Sequence, residues 1–151
     1  MSLNDDIRLL SEVPLFQQLD HDQLRLLAFG AERRVLATGQ ELFREGSPAE
    51  AAFVVSQGSF ELLVTDRNGV VRREGLAAPA TLLSELALVT MVERKFTAIA
   101  LEDSEVLRIS RSLFHRLLEE YPQVGQMVEN RIRDNIVAMA NAAAGLQSRF
   151  N

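Results

Sequence analysis

Apolar residues fall at helical spacing at both ends of the chain and at strand spacing in between. From about Asn4 to Leu27 the pattern predicts helix: Ile7, Leu10 and Ser11 begin one amphipathic turn. Val13-Pro14 breaks it, because proline disfavours helix at the residue before it. Asp20 is placed to cap a second helix, with Gln23 at the capping-box position and Leu24, Leu26 and Leu27 as its apolar content. Leu15 and Phe16, between the two, read as core anchors.

From Ala31 the pattern changes to strand. Arg33-Arg34-Val35-Leu36 precedes a Thr38-Gly39 turn, and Glu41-Leu42-Phe43-Arg44 runs to Gly46-Ser47-Pro48, a strong turn signal. Ala52–Ser56 and Ser59–Val64 flank Gly58, which predicts a tight turn or bulge between two paired strands. Asn68-Gly69 is the best hairpin signal in the chain, joining Leu62–Thr65 to Val70–Arg73. Arg94–Ala100 and Ser104–Ile109 supply two further strands. Short strands punctuated by glycine point to an antiparallel sandwich or barrel.

The last third returns to helix. Ser110 caps Arg111–Glu120, where Leu113, Phe114, Leu117 and Leu118 form an apolar face. Pro122 suits the first turn of a longer helix running to about Leu146, with Val128, Ile132, Ile136, Met139, Ala143 and Leu146 along one stripe. That stripe either packs on the domain itself or pairs with a second copy as a short coiled coil. The small residues Ala138, Ala140, Ala142, Ala143 and Ala144 would permit the close approach that a homodimer needs.

Composition narrows the function. A chain of 151 residues, 47% hydrophobic and 25% charged, is the size and make-up of one soluble globular domain. Its 16 basic and 21 acidic residues leave a formal charge of −5, which argues against broad binding to a phosphate backbone and so against DNA. Zero cysteines exclude disulfides, thiolate metal sites and thiol nucleophiles and fit a cytoplasmic location. No apolar run is long enough to span a membrane, and the start of the chain is acidic. His21 and His115, the two histidines, lack a metal-ligand spacing. Glycine-rich phosphate loops and nucleophile elbows are likewise missing. A catalytic or metal-ligating set is hard to assemble, and catalysis is not expected.

One central stretch does carry chemistry. Ser84 is a helix N-cap residue type and Glu85 follows it, with Leu86, Ala87 and Leu88 allowing a single helical turn. The first N–H groups of such a turn form a ready anion site. Arg94 begins an extended run that could return it beside that turn. A carboxylate, a helix start and an arginine on one wall would suit a ligand bearing hydroxyls and a phosphate. The alternative is a buried turn followed by a strand, with both charges in solvent.

The ordered series Gly39-Gln40-Glu41-Leu42-Phe43-Arg44-Glu45-Gly46, Phe53–Gly58, Glu85-Leu86-Ala87-Leu88, Arg94, Thr97 and Leu101–Leu107 resembles the cyclic nucleotide-binding domain of the catabolite activator and of the regulatory subunit of cyclic AMP-dependent kinase. The resemblance runs from Val13-Pro14-Leu15-Phe16 to the C-terminal helix. It implies a mainly β, α+β fold: a β jelly roll flanked by N-terminal helices and a long C-terminal helix. Residues 1–30 would be the helical lead, 31–110 the roll and 111–151 the C-terminal helices, with a phosphate-binding cassette at 82–97. Carried over to matching positions, the site would be Ser84, Glu85, Leu86, Ala87, Arg94, Lys95 and Thr97. Glu85 would bind the ribose 2′-hydroxyl, Arg94 the cyclic phosphate, and the N–H groups of Leu86 and Ala87 would complete the anion site.

The resemblance thus implies a non-enzymatic regulatory module that senses a cyclic nucleotide and signals through its C-terminal helix to an effector protein. The threonine that favours cyclic GMP in some members would follow the arginine; Lys95 stands there, so cyclic AMP is expected. Since the chain ends with that helix, a stand-alone sensor is expected. Three positions depart from the family pattern: Ser84 replaces a glycine, Glu93 replaces a proline or small residue, and Phe96 replaces a small one. These departures motivate a second expectation, a protein-interaction module that keeps the fold without the nucleotide.

Overall fold

A computed structural model describes residues 2–134 and Val137. Capping sets the N-terminal segment. Ser2 and Asp5 close a reciprocal capping box on α1 (Leu3–Ser11), and Asp20 and Gln23 do the same on α2 (His21–Gly30), with bonds of 2.8 and 2.9 Å. Pro14–Phe16 forms a single 3-10 turn between them. Leu15 and Phe16 on that turn are 5% and 0% exposed, as core anchors should be.

Ten strands follow: β1 (Glu32–Leu36), β2 (Glu41–Phe43), β3 (Pro48–Ala49), β4 (Ala51–Gln57), β5 (Phe60–Thr65), β6 (Val71–Ala77), β7 (Leu82–Leu83), β8 (Val92–Glu93), β9 (Thr97–Ala100) and β10 (Ser104–Ser110). They make two antiparallel four-stranded sheets, ordered β1-β10-β4-β7 and β2-β9-β5-β6, and a small β3-β8 ladder. The architecture is the expected jelly roll, mainly β, with helices at its ends. After β10 come α3 (Arg111–Glu120), capped by Ser110 Oγ, and α4, described over 122–134.

Strand β4 is the hinge of the packing. Its residues Ala51-Ala52-Phe53-Val54-Val55 are buried on both faces, as an unbroken apolar run in a central strand requires. Ala52 and Val54 face a first core with Leu107 and Ile109 of β10, Leu10 and Phe16 of the lead, and Phe114 and Leu117 of α3. Phe53 and Val55 face a second core between the sheets, with Phe43, Phe60, Leu83, Ala98, Ala100 and Val106. Val124, Val128 and Ile132 of α4 join the first core. The apolar stripe of that helix therefore packs on the domain itself as far as Ile132. Ile136, Met139, Ala143, Leu146 and the alanines from Ala138 to Ala144 lie outside the described residues.

One strand pairing differs from expectation. The segments on either side of Gly58 are β4 and β5, and they belong to different sheets instead of forming a hairpin. Gly58 has φ +81°, and a Cβ there would lie 2.8 Å from Ser104 Cα. The chain crosses between sheets at this point because glycine alone allows that backbone approach. Asn68-Gly69 does join β5 to β6, with the Asp66 carboxylate accepting from the N–H groups of Asn68 and Val70 at 2.9 Å each. The short strands β3, β7 and β8 are too brief to show any period in sequence.

A polar network ties α1 to the roll. Arg33 on β1 pairs with Asp6 of α1 at 2.6 Å and with Glu105 of β10 at 2.8 Å, and Ser56 Oγ donates to Glu105 at 2.7 Å. Both carboxylates are buried. Removing the arginine leaves two anions without their shared cation. Arg33→Ala is expected to destabilise the fold by about 1–3 kcal/mol, the lower end reflecting the partly exposed guanidinium. Urea denaturation measures it, and a change below about 0.5 kcal/mol would show the network to be dispensable.

Candidate ligand-binding site

The chain from β7 to β9 carries the residues singled out in the sequence. Leu83 of β7 pairs with Phe53 of β4, and the next residue, Ser84, turns the chain out of the sheet. Ser84 has φ +65° and ψ +49°, the left-handed conformation, and its side chain makes no capping bond. It stands at the N-cap position without the extended backbone or the side-chain bond expected of a serine cap. Glu85–Leu88 follows as one 3-10 turn. Ala87 N–H donates to Ser84 O at 3.0 Å, so it is committed within the turn and does not serve the anion site as expected; the first N–H groups of the turn are those of Glu85 and Leu86. Glu85 and Leu86 are half-buried and Ala87 is fully buried.

Arg94 is held by its own backbone and by aromatic rings. Its N–H donates to Ser47 O and its carbonyl accepts from Gly46 N–H, each at 2.8 Å, which locks it beside the β3–β8 ladder. The residue is only 7% exposed. Its Nη1 donates to Ala51 O at 2.7 Å, and its guanidinium carbon lies 4.5 Å from the centre of the Phe43 ring and 5.2 Å from that of Phe53. Among the described residues Arg94 Nε has no hydrogen-bond partner. Burial, with a smaller contribution from the charge of Arg108, pushes the Arg94 pKa down to about 10. It stays a cation at neutral pH.

Register links Arg94 to the turn. Phe53, which carries the guanidinium, is the partner of Leu83, next to Ser84. Ala51, which accepts from Arg94, lies two residues back along β4, toward the point where Glu85 leaves the ladder. The structure thus gathers Ser84, Glu85, Leu86, Ala87 and Arg94 around one stretch of β4.

Thr97 is turned away from that group, while Lys95 directly follows Arg94 in the chain. Lys95 is exposed. Along β9, Ala98 and Ala100 are buried inside the roll, so Thr97 and Ile99 face the opposite side. Thr97 Oγ1 accepts from Glu45 N–H at 3.0 Å, which makes it a tie between neighbouring segments. Phe96 faces inward, its ring centre 5.5 Å from that of Phe43, and packs on the second core. It fills core beside the arginine, and Glu93 points to solvent.

Two residues that the sequence left unmarked contribute here. Arg108 on β10 is the register partner of Phe53 and shares with Arg34 one exposed carboxylate, Glu32, at 3.7 and 4.0 Å. Arg111, the first residue of α3, donates from Nε to Ala87 O at 3.0 Å and from Nη2 to Ala49 O at 2.7 Å. In sequence Arg108 is a single charge in an apolar run and Arg111 a charge between two serines, and only strand register and the helix start reveal their direction. Among the described residues no cluster of His, Cys, Asp and Glu could hold a metal ion, and no helix is long and apolar enough to cross a membrane.

Among the described residues the fold is a β-roll whose buried arginine, Arg94, pairs with no carboxylate. Comparison with known proteins agrees with that class. Residues 33–121 match the model of the cyclic nucleotide-binding domain, and the chain belongs to that family. It is similar to a cyclic nucleotide-binding-like protein from Brucella abortus, with 45% identity, a TM-score of 0.69, and coverage of 76% of this chain and 98% of that one. It is 29% identical over 125 residues to the cyclic AMP receptor protein of Thermus thermophilus, covering 80% of this chain and 58% of the receptor. A cyclic AMP-dependent protein kinase regulatory subunit from Eremothecium gossypii is also 29% identical, over 104 residues that cover 69% of this chain and 22% of the subunit. The chain therefore spans little more than half of the one relative and under a quarter of the other.

Below about pH 10 Arg94 is charged in both the folded and the unfolded chain, so the cost of burying it is fully present at neutral pH. It is relieved as pH rises through that value, or when an anion binds. Arg94→Met is expected to leave the unfolding midpoint of the ligand-free protein at or above that of the wild type, by roughly 2–4 °C if it relieves about 1 kcal/mol. A lower midpoint in a thermal scan would show that the cation is a net stabiliser. Ser84→Gly is expected to stabilise by about 1 kcal/mol, measured in urea, because glycine accepts the left-handed conformation without strain.

Proposed function

We propose that this chain is a non-enzymatic sensor of a cyclic nucleotide, cyclic AMP in preference to cyclic GMP, working in the cytoplasm and signalling through its C-terminal helix. The observation that carries this reading is the Arg94 guanidinium: buried, cationic at neutral pH, resting on Phe43 and Phe53, with Nε unpartnered. A monoanionic phosphodiester supplies the missing acceptor, and a charge-assisted contact in a dry site is among the stronger hydrogen bonds available. In this reading Glu85 accepts from a ribose hydroxyl while the N–H of Leu86, at the start of its turn, supports the phosphate. Family membership and the names of the receptor and kinase-subunit relatives support the ligand class. Preference for cyclic AMP rests on Lys95, which occupies the place of the threonine associated with cyclic GMP. Signal output passes through α3 and α4, either to an effector protein or to a second copy of the chain. No contact with DNA is proposed, given the net charge of −5.

A second reading is favoured by the filling of the roll. Phe43, Phe53 and Phe96 form a continuous aromatic wall, and Arg94 already bonds to Ala51 O. In this reading the arginine is a structural plug and the fold serves protein interaction alone.

Isothermal titration with cyclic AMP and cyclic GMP separates the two. The first reading expects binding of both, tighter for cyclic AMP, and an affinity loss of about ten- to a hundredfold in Arg94→Ala, equivalent to roughly 1.5–3 kcal/mol. Absence of any heat or thermal shift at millimolar nucleotide supports the second reading, since a site-specific ligand must stabilise the folded state.

A further inference from the structure

Three consecutive carbonyls on the approach to and start of β4 accept hydrogen bonds from two arginines. Ala49 O accepts from Arg111 Nη2 at 2.7 Å, Glu50 O from the Arg111 N–H at 3.0 Å, and Ala51 O from Arg94 Nη1 at 2.7 Å. Arg111 Nε reaches in another direction, to Ala87 O on the 3-10 turn at 3.0 Å. Its guanidinium therefore joins the Glu85–Leu88 turn to the backbone two residues before the Ala51 carbonyl on which Arg94 rests. Ala49 is also the ladder partner of Val92, two residues before Arg94, so the same residue steadies the arginine from its N-terminal side. The partners are main-chain carbonyls in fixed positions, and a planar fork of donors suits that task better than a flexible ammonium. Arg111 opens α3, directly after the Ser110 cap, so a shift of Ala87 is delivered to the first turn of the helix that follows the roll.

We infer that Arg111 is a positioning residue, which fixes the distance between the Glu85–Leu88 turn and the Arg94 perch and transmits movement of that turn to α3. Its ligand-dependent part rests on the proposed nucleotide reading. The geometry gives Arg111 two separable duties. In the empty protein it restrains the turn. On ligation, an anion that draws the turn's N–H groups pulls Ala87 O, and the helix start moves with it. A rival carrier exists in the apolar contact between Leu88 of the turn and Phe114 and Leu117 of α3, which share one core. A core contact of that kind transmits volume changes, whereas the fork transmits a directed displacement.

Hydrogen exchange read by mass spectrometry distinguishes them, using the full chain with and without saturating cyclic AMP. Arg111→Met keeps the apolar stem and removes every side-chain donor; Arg111→Lys keeps the charge and loses the fork, and serves where the methionine variant folds poorly. In the ligand-free protein, either variant is expected to speed exchange across residues 84–90 by about tenfold while leaving the β5–β6 hairpin unchanged. With nucleotide bound, protection of the turn is expected to persist, while the response of residues 111–120 is lost in Arg111→Met and reduced in Arg111→Lys. Unchanged exchange of the turn in both ligand-free variants overturns the inference whether or not nucleotide binds. A wild-type response of α3 in the variants overturns it too, as does its loss in Leu88→Ala alone. Failure of the wild type to bind cyclic AMP counts against the proposed function, while the ligand-free comparison still decides the role of Arg111.

Discussion

A cation buried without an anion is the constraint around which this roll is arranged. Arg94 has one carbonyl and two aromatic faces as partners, while loss of water and a neighbour of like charge both weigh against its cationic form. Its retention in the core demands a rigid frame. The Gly46–Ser47 turn grips its backbone from one side, β4 offers its first carbonyl from another, and the phenylalanines close the third. On the proposed nucleotide reading, an interior so built is preorganised for an acceptor, because its cost is already met in the folded state before any ligand arrives.

The same frame explains why the fold places its helices where they are. Strand β4 is buried on both faces, so whatever contacts Arg94 on one side is one residue away from the helical core on the other. Phe53 and Val54 illustrate this: the first carries the guanidinium, the second packs toward the lead helices and α3. Displacement in the site is therefore a displacement of the wall that α1, α3 and α4 rest on. A closely packed interior does not absorb such a shift silently.

Much of the architecture was legible because it depends on local chemistry. The Asp20–Gln23 capping box, the proline break at Val13-Pro14, the Asn68-Gly69 hairpin and the capped α3 are each written in a few neighbouring residues. Gly58 was legible as a turn but not as a crossing between sheets, since its partner Ser104 is distant in sequence. Ser84 was legible as a departure from glycine, and its left-handed backbone gives that departure a physical cost. Thr97 could not be oriented in advance: a one-residue change of phase in β9 would have turned it inward, and only the pairing with β2 and β5 fixes the phase.

The sequence by itself determined the helix–strand–helix order, the family resemblance and the candidacy of Glu85 and Arg94, because spacing and residue type carry those directly. Tertiary structure alone decided which residues share a site. It put Arg94 on Phe43 and Phe53, turned Thr97 away, made Phe96 part of the core, and brought Arg111 onto the carbonyls of Ala49 and Ala87. The physical reason is that these are contacts between side chains and backbone groups far apart in the chain, and a carbonyl leaves no mark in the sequence to show which donor it will accept.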